Sequence, residues 1–201
     1  MANLPRYAEE ISDLLVHIGR SARAEDADSE LTAAQWTALR FFARANRVSR
    51  TPSAFASFQA TTRGTASQCL KSLVAKGLLT RHRSEKDGRS VRFEVTDRGW
   101  VLLERDPLHH LITAIERLEA SSRAGLAHAL ATLTADLADL RGAPVFGTCN
   151  DCAHFTAGRD DAGYCGCVAV ALAPDEVGKL CVHFEHAGRA APAEGSHRER
   201  R

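Results

Sequence analysis

At 201 residues, with 44% hydrophobic and 25% charged side chains, the chain is long enough for one ordinary core and one small satellite domain. No uncharged apolar run approaches the roughly 20 residues of a membrane span, and charges interrupt the N-terminal segment, so no membrane segment or signal peptide is expected and the expected location is the cytoplasm. The net charge of +1 hides a division, since residues 32–100 hold 13 Lys and Arg against 4 Asp and Glu, a surplus suited to a phosphate-rich partner such as double-stranded DNA.

The chain begins with an expected helix over 4–23, with Ile11, Leu14, Leu15 and Ile18 on one face. The stretch "AEDADSE" ends it. A second helix is expected in "TAAQWTALRFFARANR", with Thr32 able to cap it and Trp36, Leu39, Phe42 and Ala43 on one side. A short third one follows in "TPSAFASFQAT", where Thr51 is the cap, Pro52 occupies the first helical position and Phe55 and Phe58 face inward.

The spacing predicts a fourth helix from a Thr62 cap to about Lys76. Ala66, Cys69, Leu70, Leu73 and Val74 make its apolar stripe, and Gly77 stops it in the left-handed conformation that glycine favours. Cys69 reads as a small buried hydrophobe. Its other face carries Thr65, Gln68, Lys71 and Ser72, and the third and fourth helices together read as a helix-turn-helix whose second member enters a major groove. "LLTRHRS" and "SVRFEVT" then alternate as strands, with Val91, Phe93 and Val95 on one side, around a charged turn, "EKDGR". That hairpin is a wing.

From "LTAAQWTALRFF" through "TRGTASQCLKSLVAKGLLTRHRSEKDGRSVRFEVTDRG" the chain resembles the MarR family of bacterial winged helix-turn-helix regulators. The most specific element is the wing pattern D-x-R followed by a strand and Val-Thr-x-x-Gly, met by Asp87, Arg89, Val95, Thr96 and Gly99. The resemblance implies that Arg89 enters a minor groove while Asp87 supports it, and that Thr62, Arg63, Thr65, Ser67 and Gln68 occupy recognition positions. Gly88 departs from the family, which often has a basic residue there. Independently of the family, the guanidinium groups of Arg63 and Arg89 suit phosphate or guanine, and Gln68 suits adenine, each good base contact being worth ~1–3 kcal/mol of discrimination. Arg81, Arg83, Lys86 and Arg92 suit the positioning of a protein on phosphates.

A long helical region is expected from Gly99 to about Leu140. Leu111, Ile115 and Leu118 continue one face, and Leu126, Leu130, Leu133, Leu137 and Leu140 recur at the spacing of a coiled-coil seam. Such a seam can bury within one chain or against a second. The resemblance implies a homodimer formed through the first and last helices, which requires a pseudo-palindromic operator. It also allows a small-molecule effector at the dimer interface.

After "RGAP" the composition changes, and the family pattern ends. Five of the six cysteines, Cys149, Cys152, Cys165, Cys167 and Cys181, form C-x2-C-x12-C-x-C-x13-C. A segment of about 40 residues buries little core and commonly needs a staple. The expected metal ligands are Cys149, Cys152, Cys165 and Cys181, with Cys167 as an alternative to Cys165. His154 and His183 are expected to pack around the site. A C-x2-C knuckle serves zinc and iron–sulfur sites alike, and the lack of a second such pair favours an iron–sulfur cluster over Zn2+. A dithiol–disulfide switch between bare cysteines is a third possibility.

The fold class expected is therefore mainly α with a small β wing: a winged helix-turn-helix and dimerisation domain over 1–143, a cysteine-rich metal-binding module over 144–187, and a disordered tail over 188–201. The function expected is sequence-specific transcriptional regulation, as a repressor, with a cysteine-held centre that senses redox state. The rivals are an electron-transfer protein with a helical scaffold, or a regulator whose zinc-stapled module is only a structural or interaction surface. Neither a Ser/His/Asp arrangement, a phosphate loop nor a convincing carboxylate pair marks an enzyme.

Overall fold

A computed structural model of the chain describes residues 4–22, 29–83 and 91–187. They fall into two compact units. The first comprises Met1–Arg44 and Arg50–Ala143, the second Ala45–Ser49 and Pro144–Arg201. The tail over 188–201 lies outside the described residues.

The first unit opens with α1 (Leu4–Ser21), whose Ile11, Leu14, Leu15 and Ile18 are all exposed, Leu14 at 59%. Helix α2 (Ala33–Arg44) starts in a reciprocal cap, in which the Gln35 N–H donates to Thr32 Oγ1 at 3.3 Å and the Thr32 N–H to Gln35 Oε1 at 3.1 Å. It buries Trp36, Ala38, Leu39, Phe41 and Phe42. Helix α3 (Pro52–Phe58) has Thr51 as its cap, accepting the Ala54 N–H at 3.1 Å, with Pro52 where a missing N–H costs nothing. Phe55 is buried and Phe58 is exposed.

Helix α4 (Arg63–Ala75) begins at Thr62 and ends at Gly77, whose φ of 69° is the left-handed geometry expected of it. The Leu78 N–H donates to the Leu73 carbonyl and the Gly77 N–H to that of Val74, both at 2.9 Å, which satisfies the carbonyls the helix end would leave open. Strands β1 (Leu79–Arg83) and β2 (Val91–Val95) pair antiparallel, with Leu79 opposite Val95 and Arg83 opposite Val91. Phe93 is buried, Val91 and Val95 are half-buried, and Arg92 and Glu94 are exposed. Helix α2 packs against α4 and β2, and α3 against α4.

The Val-Thr-x-x-Gly pattern has a physical cause. Thr96 caps α5 (Asp97–Leu103), accepting the Gly99 N–H at 3.1 Å, and its hydroxyl donates back to the Gly77 carbonyl at 2.7 Å. Gly99 is required by close approach, since a Cβ there would come within 2.5 Å of the Leu78 carbonyl oxygen and 2.7 Å of the Val95 side chain. The strand end, the end of α4 and the start of α5 are thus tied at one point.

The region after Gly99 is helical to Arg141, with breaks. It divides into α5, α6 (Leu108–Glu116) and α7 (Ala120–Arg141). Asp106 stands at the first break, where it accepts the Leu108 N–H at 2.8 Å and pairs with Arg40 at 3.3 Å, and Pro107 cannot continue a hydrogen-bonded helix. Of α7, Ala138 alone is buried, while Leu126, Leu130, Leu133, Leu137 and Leu140 are exposed, Leu140 at 84%. Cys69 is half-buried rather than buried, with its thiol 3.7 Å from the Ala34 carbonyl.

In the second unit a single turn of tight helix, Cys149–Asp151, leads into β3 (Phe155–Ala157), β4 (Gly163–Cys165) and β5 (Val170–Leu172), an antiparallel sheet in the order β3-β4-β5. A short helix α8 (Pro174–Val177) follows. Cys149, Cys165, Leu172 and Val177 form the core, with Phe155, Val168 and Val170 packed against it. By composition residues 45–49 go with the first unit; in the structure they complete the second.

Replacing Gly99 by Ala forces Leu78 and Val95 apart and is expected to destabilise the first unit by about 1–3 kcal/mol. Thermal unfolding followed by circular dichroism checks this, and an unchanged midpoint would show that the junction yields freely.

Candidate nucleic-acid interface and cysteine cluster

Helix α4 turns Ala66, Leu70 and Leu73 inward, which leaves its other face outward. Thr62, Arg63, Thr65 and Gln68 are exposed, and Ser67 is half-buried. Thr62 Oγ1 accepts the Thr65 N–H at 3.1 Å and lies 2.9 Å from Thr65 Oγ1, so these two hydroxyls organise the start of the helix. Arg63 and Gln68 carry the longer polar reach. The Gln35 amide donates to Ser72 Oγ at 2.9 Å and holds α4 on α2.

Beside this face, Arg81, Arg83 and Arg92 are exposed on the wing strands. His82, opposite Arg92, lies 3.6 Å from Glu94, and Arg50 is also 3.6 Å from that carboxylate. Lys86, Asp87, Gly88 and Arg89 lie outside the described residues. Between α4 and the strands is a groove of about 400 Å³ walled by Leu70, Val74, Val91 and Phe93, with Lys71 and Arg81 among its lining.

All six cysteines are free thiols. Cys149, Cys165 and Cys181 are buried, Cys152 is half-buried and Cys167 is exposed, although only one residue separates it from Cys165. Cys165 is the last residue of β4, whereas Cys167 lies in the turn that joins β4 to β5. At the knuckle the Cys152 N–H donates to the Cys149 carbonyl at 3.1 Å, and the Cys181 N–H donates to the Gly147 carbonyl at 2.9 Å, which brings the last cysteine alongside the first pair. Burial, and after it the neighbouring Cys181, Cys152 and Cys165, push the Cys149 thiol up to about 11.

Among the described residues, no three His, Cys, Asp or Glu side chains already converge as a ligand set for a metal ion. The chemistry of the donor set, four neighbouring thiols of which three are buried, is one that zinc or an iron–sulfur cluster takes. His154 pairs with Glu185 at 2.8 Å, and His183 is exposed.

Sequence reasoning missed the residues that surround the cluster. The carboxylate of Glu176, 7% exposed, accepts the Arg47 N–H at 2.9 Å and lies 3.4 Å from the Lys179 ammonium. Arg47 also reaches the Ala171 carbonyl. Asn46 and Ser49 are fully buried. A polar tetrapeptide such as "NRVS" carries no periodic signal, and a buried asparagine and serine cannot be told from loop residues without their partners.

No helix among the described residues is long and apolar enough to cross a membrane. The MarR-family model matches residues 29–90. Among solved structures, S. aureus MepR in its DNA-binding conformation superposes with a TM-score of 0.55 at 19% identity, over 65% of this chain and 98% of its own. A MarR transcriptional regulator from Methanosarcina mazei Go1 does so with a TM-score of 0.54 at 18% identity, over 68% and 99%. A complex of S. aureus MepR with DNA gives 0.52 at 19%, over 65% and 97%. At these identities the likeness is one of fold. No curated protein matches the sequence. Residues 29–90 thus match the MarR-family model, and the mainly helical fold with its two-stranded wing is similar to that of solved MarR-family regulators.

Proposed function

We propose that the chain is a homodimeric, sequence-specific DNA-binding repressor of the cytoplasm, carrying a cysteine-held metal centre that senses redox state. The observation that carries the DNA-binding part is the outward face of α4, where Arg63 and Gln68 are exposed beside the exposed wing cations Arg81, Arg83 and Arg92. Arg63 and Gln68 would read base edges, with Thr62, Thr65 and Ser67 setting the helix start against the backbone. Arg92, with Lys86 and Arg89 from the segment between the wing strands in sequence, would hold phosphate and minor groove, and Asp87 would support Arg89.

A second copy is the natural cover for the apolar faces of α1 and α7. Five leucines of α7 and four aliphatic side chains of α1 stand exposed in the single chain, and contiguous apolar surface on that scale favours association. A two-fold dimer would present two recognition helices to successive major grooves of a pseudo-palindromic operator. The groove beside α4, apolar with Lys71 and Arg81 in its wall, suits a small organic anion as effector.

The ligands of the centre would be Cys149, Cys152, Cys165 and Cys181, with the exposed Cys167 left outside. An iron–sulfur cluster held there would supply reversible redox chemistry; zinc would supply only a staple. The protein's own contribution is to bury three of the thiols, to hold the Cys149–Cys152 knuckle by its backbone hydrogen bond, and to set Cys181 against Gly147.

Arg63→Ala and Gln68→Ala are each expected to cost about 1–3 kcal/mol on a preferred duplex and to relax its sequence preference, whereas Arg92→Ala weakens all duplexes alike and lowers the salt slope by about 1. Fluorescence anisotropy on duplexes recovered from a random pool measures both, and equal losses on preferred and random DNA for Arg63→Ala would remove it from base reading. Leu133→Asp with Leu137→Asp is expected to halve the mass in analytical ultracentrifugation; a monomeric wild type would sink the dimer. For the centre, protein purified without oxygen is expected to absorb broadly in the visible and to contain iron and sulfide. Colourless protein with stoichiometric zinc would leave the staple and discard redox sensing, and protein holding no metal would discard the centre.

A further inference from the structure

The second unit is not a plain C-terminal appendage, because it is completed by Ala45–Ser49, which in sequence joins α2 to α3. Ala45 pairs with Leu180 in a parallel bridge, and the Asn46 N–H donates to the Leu180 carbonyl at 2.9 Å. On the other side of Cys181, the Val182 N–H donates to Ser49 Oγ at 2.9 Å. The backbone on both sides of this buried cysteine is therefore bonded to the same five-residue segment. Ala45, Asn46 and Ser49 are all 1% exposed or less. The segment is closed on itself as well, since the Ser49 N–H donates to Asn46 Oδ1 at 3.0 Å, and it is pinned at its middle by the bond from the Arg47 N–H to Glu176.

The chain has no slack on either side. Ala45 follows directly on Arg44, the last residue of α2, and Arg50 alone stands between Ser49 and the Thr51 cap of α3. Buried hydrogen bonds of this kind are costly to leave unmade, at about 1–3 kcal/mol for each stranded donor. A shift of Cys181 must therefore either break them or carry residues 45–49 with it.

We propose that residues 45–49 transmit the state of the Cys181 thiol, free, ligated or covalently modified, to the helices they join, so that the cysteine cluster acts on the helix-turn-helix through its α2–α3 linker. This rests on the reading of the chain as a DNA-binding regulator, and it moves the point of control from the spacing of the dimerisation helices to the linker ahead of α3. The coupling is reciprocal by linkage: DNA that selects one linker conformation changes the reactivity of Cys181. The bonds to Leu180 and Val182 do not depend on which metal, if any, the thiols hold.

The test uses the full chain in two states, as purified and after treatment with a chelator and iodoacetamide, which caps the thiols. Hydrogen exchange is read by mass spectrometry on peptides spanning 45–58, with α7 as the reference. Exchange at 45–49 is expected to rise by about tenfold or more in the capped protein while α7 is unchanged, as for a local opening. Affinity for a duplex selected from a random pool is expected to differ between the two states by about fivefold or more. In Ser49→Ala, which removes the acceptor for Val182, that ratio is expected to fall towards one while affinity in one state is retained. Unchanged exchange at 45–49 in capped wild type overturns the proposal, and so does a Ser49→Ala protein whose two states differ as much as those of wild type. If wild type selects no duplex, the regulator reading fails by itself, and the exchange measurement still decides whether the linker follows the thiols.

Discussion

The Phe42 ring is the contact on which the first unit depends. Its centroid lies 5.2 Å from that of Phe41, 5.9 Å from Phe55 and 5.6 Å from Phe93, so one side chain of α2 touches both α3 and β2. Phe41 extends the cluster to Phe58 at 4.9 Å. Each fully buried ring contributes about 1.5–3 kcal/mol by removal from water, with a further increment from edge-on and tilted geometry. Neither a short α3 nor a two-stranded hairpin is stable alone in water. The aromatic cluster gives both a common support, and α4 and the wing keep a defined relation because each packs on it.

The second unit solves a different problem. Its core consists of two aliphatic residues and two cysteines, with a few half-buried neighbours, too little apolar surface to hold three strands of three residues each. Polar bonds supply the rest: Glu176 holds Arg47, Ser49 receives Val182, and Glu185 pairs with His154. Close approach adds to this, since Gly163 lies under the Phe155 ring, where a Cβ would come within 2.2 Å of it. A unit held in this way depends on a few polar bonds and on its buried cysteines more than one built on an aromatic core.

The helix-turn-helix and the wing were legible because their signals are local. Thr32, Thr51, Thr62 and Thr96 cap the helices that follow them, and Gly77 ends α4, for reasons that concern a few adjacent residues. The helical region expected after Gly99 is present, but its breaks were not legible for a related reason. Leucine spacing continues across Asp106 and Pro107, but Asp106 is drawn into a bond with Arg40, 66 positions away, and the helix restarts beyond it. The exposure of Cys167 near the buried Cys165 follows from the strand ending at Cys165, so that Cys167 falls in the turn after it, a boundary that the spacing C-x-C does not mark.

The sequence by itself determined the starts of the second, third and fourth helices and the stop at Gly77, the wing strands, the family resemblance of residues 29–90 and the clustering of five thiols in the last third of the chain, because caps, periodicity and composition act over a few residues. Only the tertiary structure decided that residues 45–49 complete the cysteine unit, that Glu176 is buried to receive Arg47, and that Cys181 is bracketed by bonds to the α2–α3 linker. Those contacts join positions more than 120 residues apart through backbone groups and short polar side chains, and nothing in the identity of an asparagine or a serine says which distant carbonyl or N–H it will meet.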